Sequence, residues 1–226
     1  LEFRRVLFRS LSPQIFINMK KIFFFLCLLH LICLAIPKRN NPFQTNSFFS
    51  SQNDTIQIVC LNFREKEMLP QISAKIQSYY HHPTTIKESQ VSTSLISPYR
   101  HRYDADKIIA LLKIQNNRHY KFVVGLTSHD ICTPKNGYKD WGVFGLGSLD
   151  ASGCISSTYR MKKGVSKTKL LERLEKVILH EIGHNYGLNH CTSPYPCFMK
   201  DANGKIKQVD SEPMDMCVEC KKKIKN

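Results

Sequence analysis

Apolar residues recur along the chain with two different periods. Thr55-Ile56-Gln57-Ile58-Val59-Cys60-Leu61 alternates and is rich in β-branched residues, which predicts a strand. From Glu65 to Tyr80, Met68, Ile72, Ile76 and Tyr79 fall three and four apart, which predicts a helix that Pro83 follows. Thr84 to Val91 reads as a second strand. Asp104 to Gln115 repeats the helical period with Ile108, Leu111 and Leu112, and Lys121 to Thr127 is an apolar run of the buried-strand kind. Val143-Phe144-Gly145 and Cys154 to Thr158 predict two more strands, joined by a turn containing Gly and Asp. The longest helix runs from Lys167 to Tyr186, with Leu171, Leu174, Ile178 and Ile182 along one stripe. Strands mixed with helices and followed by a long helix fit a single α/β or α+β domain over residues 55–224.

The chain before that domain divides into three. Met19-Lys20-Lys21 precedes an apolar run from Ile22 to Ile36, the pattern of a secretory signal peptide, with Cys33-Leu34-Ala35 offering a cleavage point. The run is shorter than the ~20 residues that cross a membrane. Residues 19–36 therefore predict a signal peptide, with an uncleaved N-terminal anchor as the alternative, and a secreted or periplasmic protein. Without a functional signal the protein would be cytoplasmic. Residues 1–18 include Leu7-Phe8-Arg9-Ser10, which is what translated sequencing adaptor spells, and are set apart from the fold. Residues 37–54, rich in Asn, Ser, Gln and Phe, read as a linker.

Composition changes this picture little. With 42% apolar and 23% charged residues, the chain is neither collagen-like, coiled coil nor disordered throughout. Of the formal net charge of +15, the segment 1–36 carries +4 (Arg4, Arg5, Arg9, Lys20 and Lys21 against Glu2), which leaves +11 for the rest. That charge would favour acidic partners without naming one. The Lys221–Lys225 tail comes with no aromatic-interleaved basic motif, so no nucleic-acid partner is expected. A monomer is expected, and the membrane is expected to matter only through an uncleaved N-terminal segment.

One constellation carries the chemistry. The long helix ends in His180-Glu181-Ile182-Gly183-His184-Asn185-Tyr186-Gly187-Leu188-Asn189-His190. Histidines at i and i+4 leave one helix face a turn apart, within reach of a single Zn²⁺. Glu181 projects ~100° round from His180, beside the metal, where it can take a proton from the attacking water. Gly187 can turn the chain back, so that His190 returns as a third ligand and leaves a fourth position open, as catalytic zinc requires. A non-catalytic zinc-binding module would use the same ligands with that position covered. No G-x-S-x-G elbow is present for serine chemistry. His81, His82, His101, His119 and His129 lack partner spacing and read as surface or loop residues.

Cys191, Cys197, Cys217 and Cys220, the last two spaced C-x-x-C, suit a closed tetrahedral zinc site; two disulfides are the alternative in an oxidising compartment. A redox-active C-x-x-C lacks a thioredoxin-like βαβ context.

His180 to His190 matches the metzincin signature H-E-x-x-H-x-x-G-x-x-H. Cys191, Cys197-Phe198-Met199, the 17 residues after Met199 and Cys217-x-x-Cys220 resemble the archaemetzincins in particular. Upstream, Arg102–Ala105, Gly125–Asp130, Val143–Leu146 and Ser157–Arg160 look like segments of that family, so the resemblance covers roughly residues 55–224. It implies a metzincin-like catalytic domain with a twisted mixed sheet, a backing helix, a long active-site helix and a small Cys-rich C-terminal subdomain. It implies a zinc metallopeptidase with two zinc ions per chain. His180, His184 and His190 would hold the catalytic one, Cys191, Cys197, Cys217 and Cys220 the structural one, and Glu181 would be the general base and acid. Met199 would form the Met-turn beneath the ligands, with Met214 and Met216 as rivals. The substrate would be a peptide or protein, cut by endo- or aminopeptidase action. The strand near Val143–Leu146 would be the sheet edge above the cleft, with Tyr159 and Arg160 as candidate cleft residues.

Two features depart from that pattern. Five residues, Thr192 to Pro196, separate Cys191 from Cys197 where the family has four. The family is mostly intracellular, whereas this chain carries a signal-like segment. In a secreted chain Cys132 and Cys154 would either pair or remain buried thiols.

Overall fold

Two sets of side chains point in opposite directions from the central strands, and this decides the layering. A computed structural model describes residues 54–224 apart from 118 and 150–152. The segments 1–18, 19–36 and, but for Asp54, 37–54 lie outside the described residues, as does the end of the lysine tail. Ile56, Ile58 and Cys60 of β1 (Ile56–Leu61) join one core cluster, and Val59 and Leu61 join the other. In β4 (Phe122–Thr127), Phe122, Val124 and Leu126 take the first side and Val123 the second. A strand buried on both faces needs a helix on each, and both are supplied. On the first face lie α1 (Leu69–Tyr80) and α3 (Lys167–Asn185); on the second lies α2 (Ala105–Asn116).

The main sheet has the order β2-β1-β4-β8-β7, with β2 spanning Thr84–Ser89, β7 Gly145–Gly147 and β8 Gly153–Ser157. Its first three pairings are parallel, and β7 closes the edge antiparallel to β8. This is the mixed sheet expected of the α+β domain. A second sheet was not anticipated: β3 (Tyr103–Asp104), β5 (Ile131–Lys135) and β6 (Tyr138–Val143). Its hairpin turns on Asn136 and Gly137, both at positive φ (53° and 80°), in a two-residue loop. The expected strand Val143-Phe144-Gly145 is divided, because Val143 ends β6 and Gly145 begins β7. The helix expected from Glu65 opens with a 3₁₀ turn, Lys66–Met68, and β2 stops at Ser89 rather than Val91.

The long helix α3 is capped at both ends by its own sequence. The Ser166 side chain accepts from the Lys169 N–H, and Leu174, Ile178 and Ile182 are fully buried along its inner stripe. Beyond it, α4 (Ile206–Ser211) and α5 (Val218–Ile224) are short, and α4 is anchored on α3. Arg173 donates to both carboxylate oxygens of Asp210 at 2.8 and 2.6 Å and to the Met161 carbonyl, while the Lys176 ammonium donates to the Val209 carbonyl at 3.0 Å. Cys132 and Cys154 sit as separate buried thiols, one in each sheet. Among the described residues no helix is long and apolar enough to cross a membrane.

The Arg173 guanidinium, together with the Lys169 ammonium, pulls the Asp210 carboxyl down to about 2, below the ~3.9 of an unfolded chain. The pairing therefore contributes fully above ~3.9 and is lost as pH falls toward 2. Asp210→Asn is expected to cost about 1–3 kcal/mol at neutral pH, by urea unfolding. That difference should shrink in the same acid window; an equal loss at every pH would contradict the assignment.

Candidate active site

The site lies where α3 ends. Gly187, at φ 81°, reverses the chain: its N–H donates to the His184 carbonyl at 2.8 Å and the Leu188 N–H to the Gly183 carbonyl at 3.1 Å. This Schellman turn sends the chain back past the helix end, and His190 returns to His180 and His184. The nitrogens of the three rings lie within 4.8 Å of one another. Their orientation is set from behind. His180 Nδ1 is 2.7 Å from the Phe198 carbonyl and His184 Nδ1 is 2.6 Å from the Leu188 carbonyl, so each Nδ1 carries the proton that it donates. The bare Nε2 atoms then face each other at 3.0 Å. Lone pairs that converge in this way fit a bound cation. Burial, with His184 and His190 adding like charge, pushes His180 down to about 3, and His184 falls for the same reason; both are kept in the neutral form that ligates.

Glu181 is buried beside this group, under the edge strand. A Cβ on Gly145 would stand 2.5 Å from Glu181 Oε1, and one on Gly147 would stand 2.5 Å from the Glu181 carbonyl and 2.9 Å from His184 Cβ. The two glycines let β7 lie directly on the helix. Burial raises the Glu181 carboxyl to about 8, against the pull of the Gly147 N–H that it accepts from. The sequence reading placed a sheet edge near Val143–Leu146 above the cleft but did not include the glycine pair, for which Gly145-Leu146-Gly147, two glycines in alternation at a predicted strand, was the signal to follow.

Met199 is fully buried, and its sulfur would lie 2.5 Å from a Cβ on Gly183, inside the turn that carries His184. Met216 reaches the same point, its Cε at 3.2 Å. Met199 is thus the main packing element beneath this turn, and one of its two rivals shares the position.

The sulfurs of Cys191, Cys197, Cys217 and Cys220 form the second group, also within 4.8 Å. The extra residue between Cys191 and Cys197 leaves the set intact. Cys191 Sγ is 3.7 Å from Cys217 Sγ, far beyond the ~2.05 Å of a disulfide and suited to two thiolates on one cation. Around it, the Cys191 N–H donates to the Met199 carbonyl at 2.8 Å and the Cys197 N–H to Glu212 at 3.1 Å.

A cavity of about 320 Å³ opens on the histidines. Its walls are β7, the hairpin residues Trp141 and Val143, and the segment from Phe198 to Glu212. Tyr159 and Arg160 do not line it. Tyr159 is exposed, and Arg160 lies across Gly142 with two hydrogen bonds to Asp130, at 2.6 and 2.9 Å. Two of the histidines read as loop residues are in fact engaged: His82 sits 2.7 Å from the Tyr186 hydroxyl and 2.9 Å from Asp54, and His129 stacks on Tyr103.

The profile of Peptidase family M54 matches residues 53–226. Among curated proteins, the chain is 27% identical over 174 residues to the archaemetzincin of Haloquadratum walsbyi, covering 73% of this chain and 96% of that one. It is 27% identical over 176 residues to that of Saccharolobus solfataricus, covering 75% and 92%. Among solved structures, it resembles the archaemetzincin of Methanopyrus kandleri (TM-score 0.66, 22% identity, 78% of this chain and 96% of that one). It also resembles that of Archaeoglobus fulgidus, complexed with malonate (0.64, 26%, 75% and 99%).

Gly145→Ala places a methyl group against Glu181 and is expected to cost about 1–3 kcal/mol by urea unfolding. An unchanged midpoint would show that the strand does not rest on the helix as closely as described.

Proposed function

The chain belongs to peptidase family M54, the archaemetzincins, and is a zinc metallopeptidase, and we propose that Glu181 is its general base and acid. His180, His184 and His190 would hold the catalytic zinc, and Cys191, Cys197, Cys217 and Cys220 a second, structural one, making two per chain. The observation that carries this reading is the buried Glu181 carboxyl, which lines one cavity with the three histidines and is held by the Gly147 N–H. Zinc bound there supplies Lewis acidity, which activates water and polarises a carbonyl.

The protein's own part is positional. Burial alone favours the protonated Glu181 carboxyl, and a cation in the histidine group favours its carboxylate, the form a base needs. From under β7 the carboxylate takes a proton from the attacking water and returns it to the departing amine. The substrate is a peptide in extended form along β7, a sheet edge open to pairing. Met199 supports the turn that carries His184 and serves as the Met-turn. From the apolar run at residues 22–36, we also infer a secreted or periplasmic protein.

Glu181→Gln keeps the shape of the side chain and removes its basicity. It is expected to lower peptide turnover by about 10²–10⁴-fold or more while zinc content, read by mass spectrometry, stays at the wild-type level. Turnover near wild type would remove Glu181 from the mechanism.

A further inference from the structure

Two of the three histidines are held from behind by main-chain carbonyls, and the third is not. His180 and His184 stand on α3 and give their Nδ1 protons to the carbonyls of Phe198 and Leu188. His190 stands beyond the helix, in the chain that the Schellman turn sends back, and is the most exposed of the three. What faces its Nδ1 is a carboxylate, Asp201 Oδ2, at 3.8 Å. That separation is about 1 Å beyond a hydrogen bond, a gap that a small turn of an exposed ring closes.

The local structure fixes this carboxylate. The Cys191 N–H donates to the Met199 carbonyl at 2.8 Å, which ties the segment carrying His190 to the one carrying Asp201. Asp201 then closes an Asx turn, its Oδ1 accepting from the Asn203 N–H at 2.7 Å. Asn203 and Gly204 follow at φ 48° and 69°, and the Lys205 N–H returns to the Ala202 carbonyl at 2.8 Å, a type I′ turn. The hairpin of β5 and β6 braces this loop: the Trp141 ring comes within 3.8 Å of the Cβ position on Gly204, and Lys135 Nζ lies 3.9 Å from Asp201 Oδ2. The two carboxylate oxygens are therefore divided. Oδ1 serves the backbone, and Oδ2 is turned to His190 and Lys135. The other two carboxylates that line the cavity are engaged elsewhere, Glu181 by the Gly147 N–H and Glu212 by the Cys197 N–H.

Resting on the zinc reading above, we propose that Asp201 is a positioning residue for the histidine site: its Oδ2 accepts the His190 Nδ1 proton and so turns the Nε2 lone pair toward the bound cation. A carboxylate behind a metal-bound imidazole fixes its tautomer and raises the basicity of the ligating nitrogen. Asp201 thus does for the ligand outside the helix what carbonyls do for the two within it, and adds a negative charge that they lack.

Asp201→Asn separates this role from a merely structural one. Asparagine closes the same Asx turn with its Oδ1, so the loop survives. Its amide NH₂ then takes the place of Oδ2 and meets the His190 Nδ1–H donor to donor. Zinc affinity is read on the full-length wild type and variants by competition with a chelator of known affinity, with bound zinc counted by native mass spectrometry at each chelator concentration. The zinc that His184→Ala removes is expected to bind about tenfold or more weakly in Asp201→Asn, while the other zinc is released at the wild-type chelator concentration. Asp201→Ala, which lacks both the turn and the carboxylate, should be at least as weak.

Wild-type affinity in Asp201→Asn, with or without a loss in Asp201→Ala, would reduce Asp201 to a loop residue and overturn the proposal. Equal weakening of both zinc ions would do the same, since it would report a general loosening of the C-terminal segment. In each of these cases the histidine site itself stands. A zinc count that His184→Ala leaves unchanged would instead overturn the histidine-site reading, and this proposal with it.

Discussion

His190 and Cys191 are joined by one peptide bond, yet their side chains belong to two different groups of metal-ligating atoms. Most of the C-terminal architecture depends on that bond. The Schellman turn at Gly187 aims it, placing His190 toward the helix and Cys191 away from it. The C-terminal segment that follows has few apolar side chains of its own. It is held by the cysteine cluster, by Arg173 and Lys176 reaching out from α3, and by the Tyr79 hydroxyl, which donates to Asp215 at 2.8 Å. Phe198, whose carbonyl orients His180, and Met199, which supports the turn at Gly183, belong to this same segment. A cation on the four cysteines would therefore hold the floor on which the histidines stand.

The opposite wall is built on an absence of side chains. Gly145 and Gly147 let an edge strand lie on the helix at the level of Glu181, so one strand carries open backbone groups and also donates to the candidate base. Any side chain there would push the strand and the carboxyl apart. The two walls meet through the hairpin contacts of Trp141 and Lys135, which makes the cleft short.

The parts of this arrangement that were legible in the sequence are those written in local spacing. The i, i+4 histidines, the glycine three residues before His190 and the C-x-x-C each encode geometry within one turn, and the structure brings together the three histidines in one group and the four cysteines in another. Strands β1 and β4 and the three long helices follow from periodicity because each buries a regular stripe. What escaped depends on partners far along the chain. The hairpin of β5 and β6 is marked by Asn136-Gly137, but its flanking residues are too polar for the periodicity to stand out. The glycines of β7 matter only because Glu181, some 35 residues later, fills the space that they leave. Arg160, a plausible cleft residue by position, is drawn to Asp130 instead, a pairing that no local pattern announces.

The central claim is that two cation sites share the junction at His190 and Cys191. Native mass spectrometry of the purified protein tests it most directly, with zinc counted per chain for the wild type and for His184→Ala. The account predicts two zinc ions in the wild type and one in the variant, the survivor being bound by the four cysteines. A single zinc lost in the variant would mean that the cysteines hold none, and no zinc in either protein would contradict the account altogether.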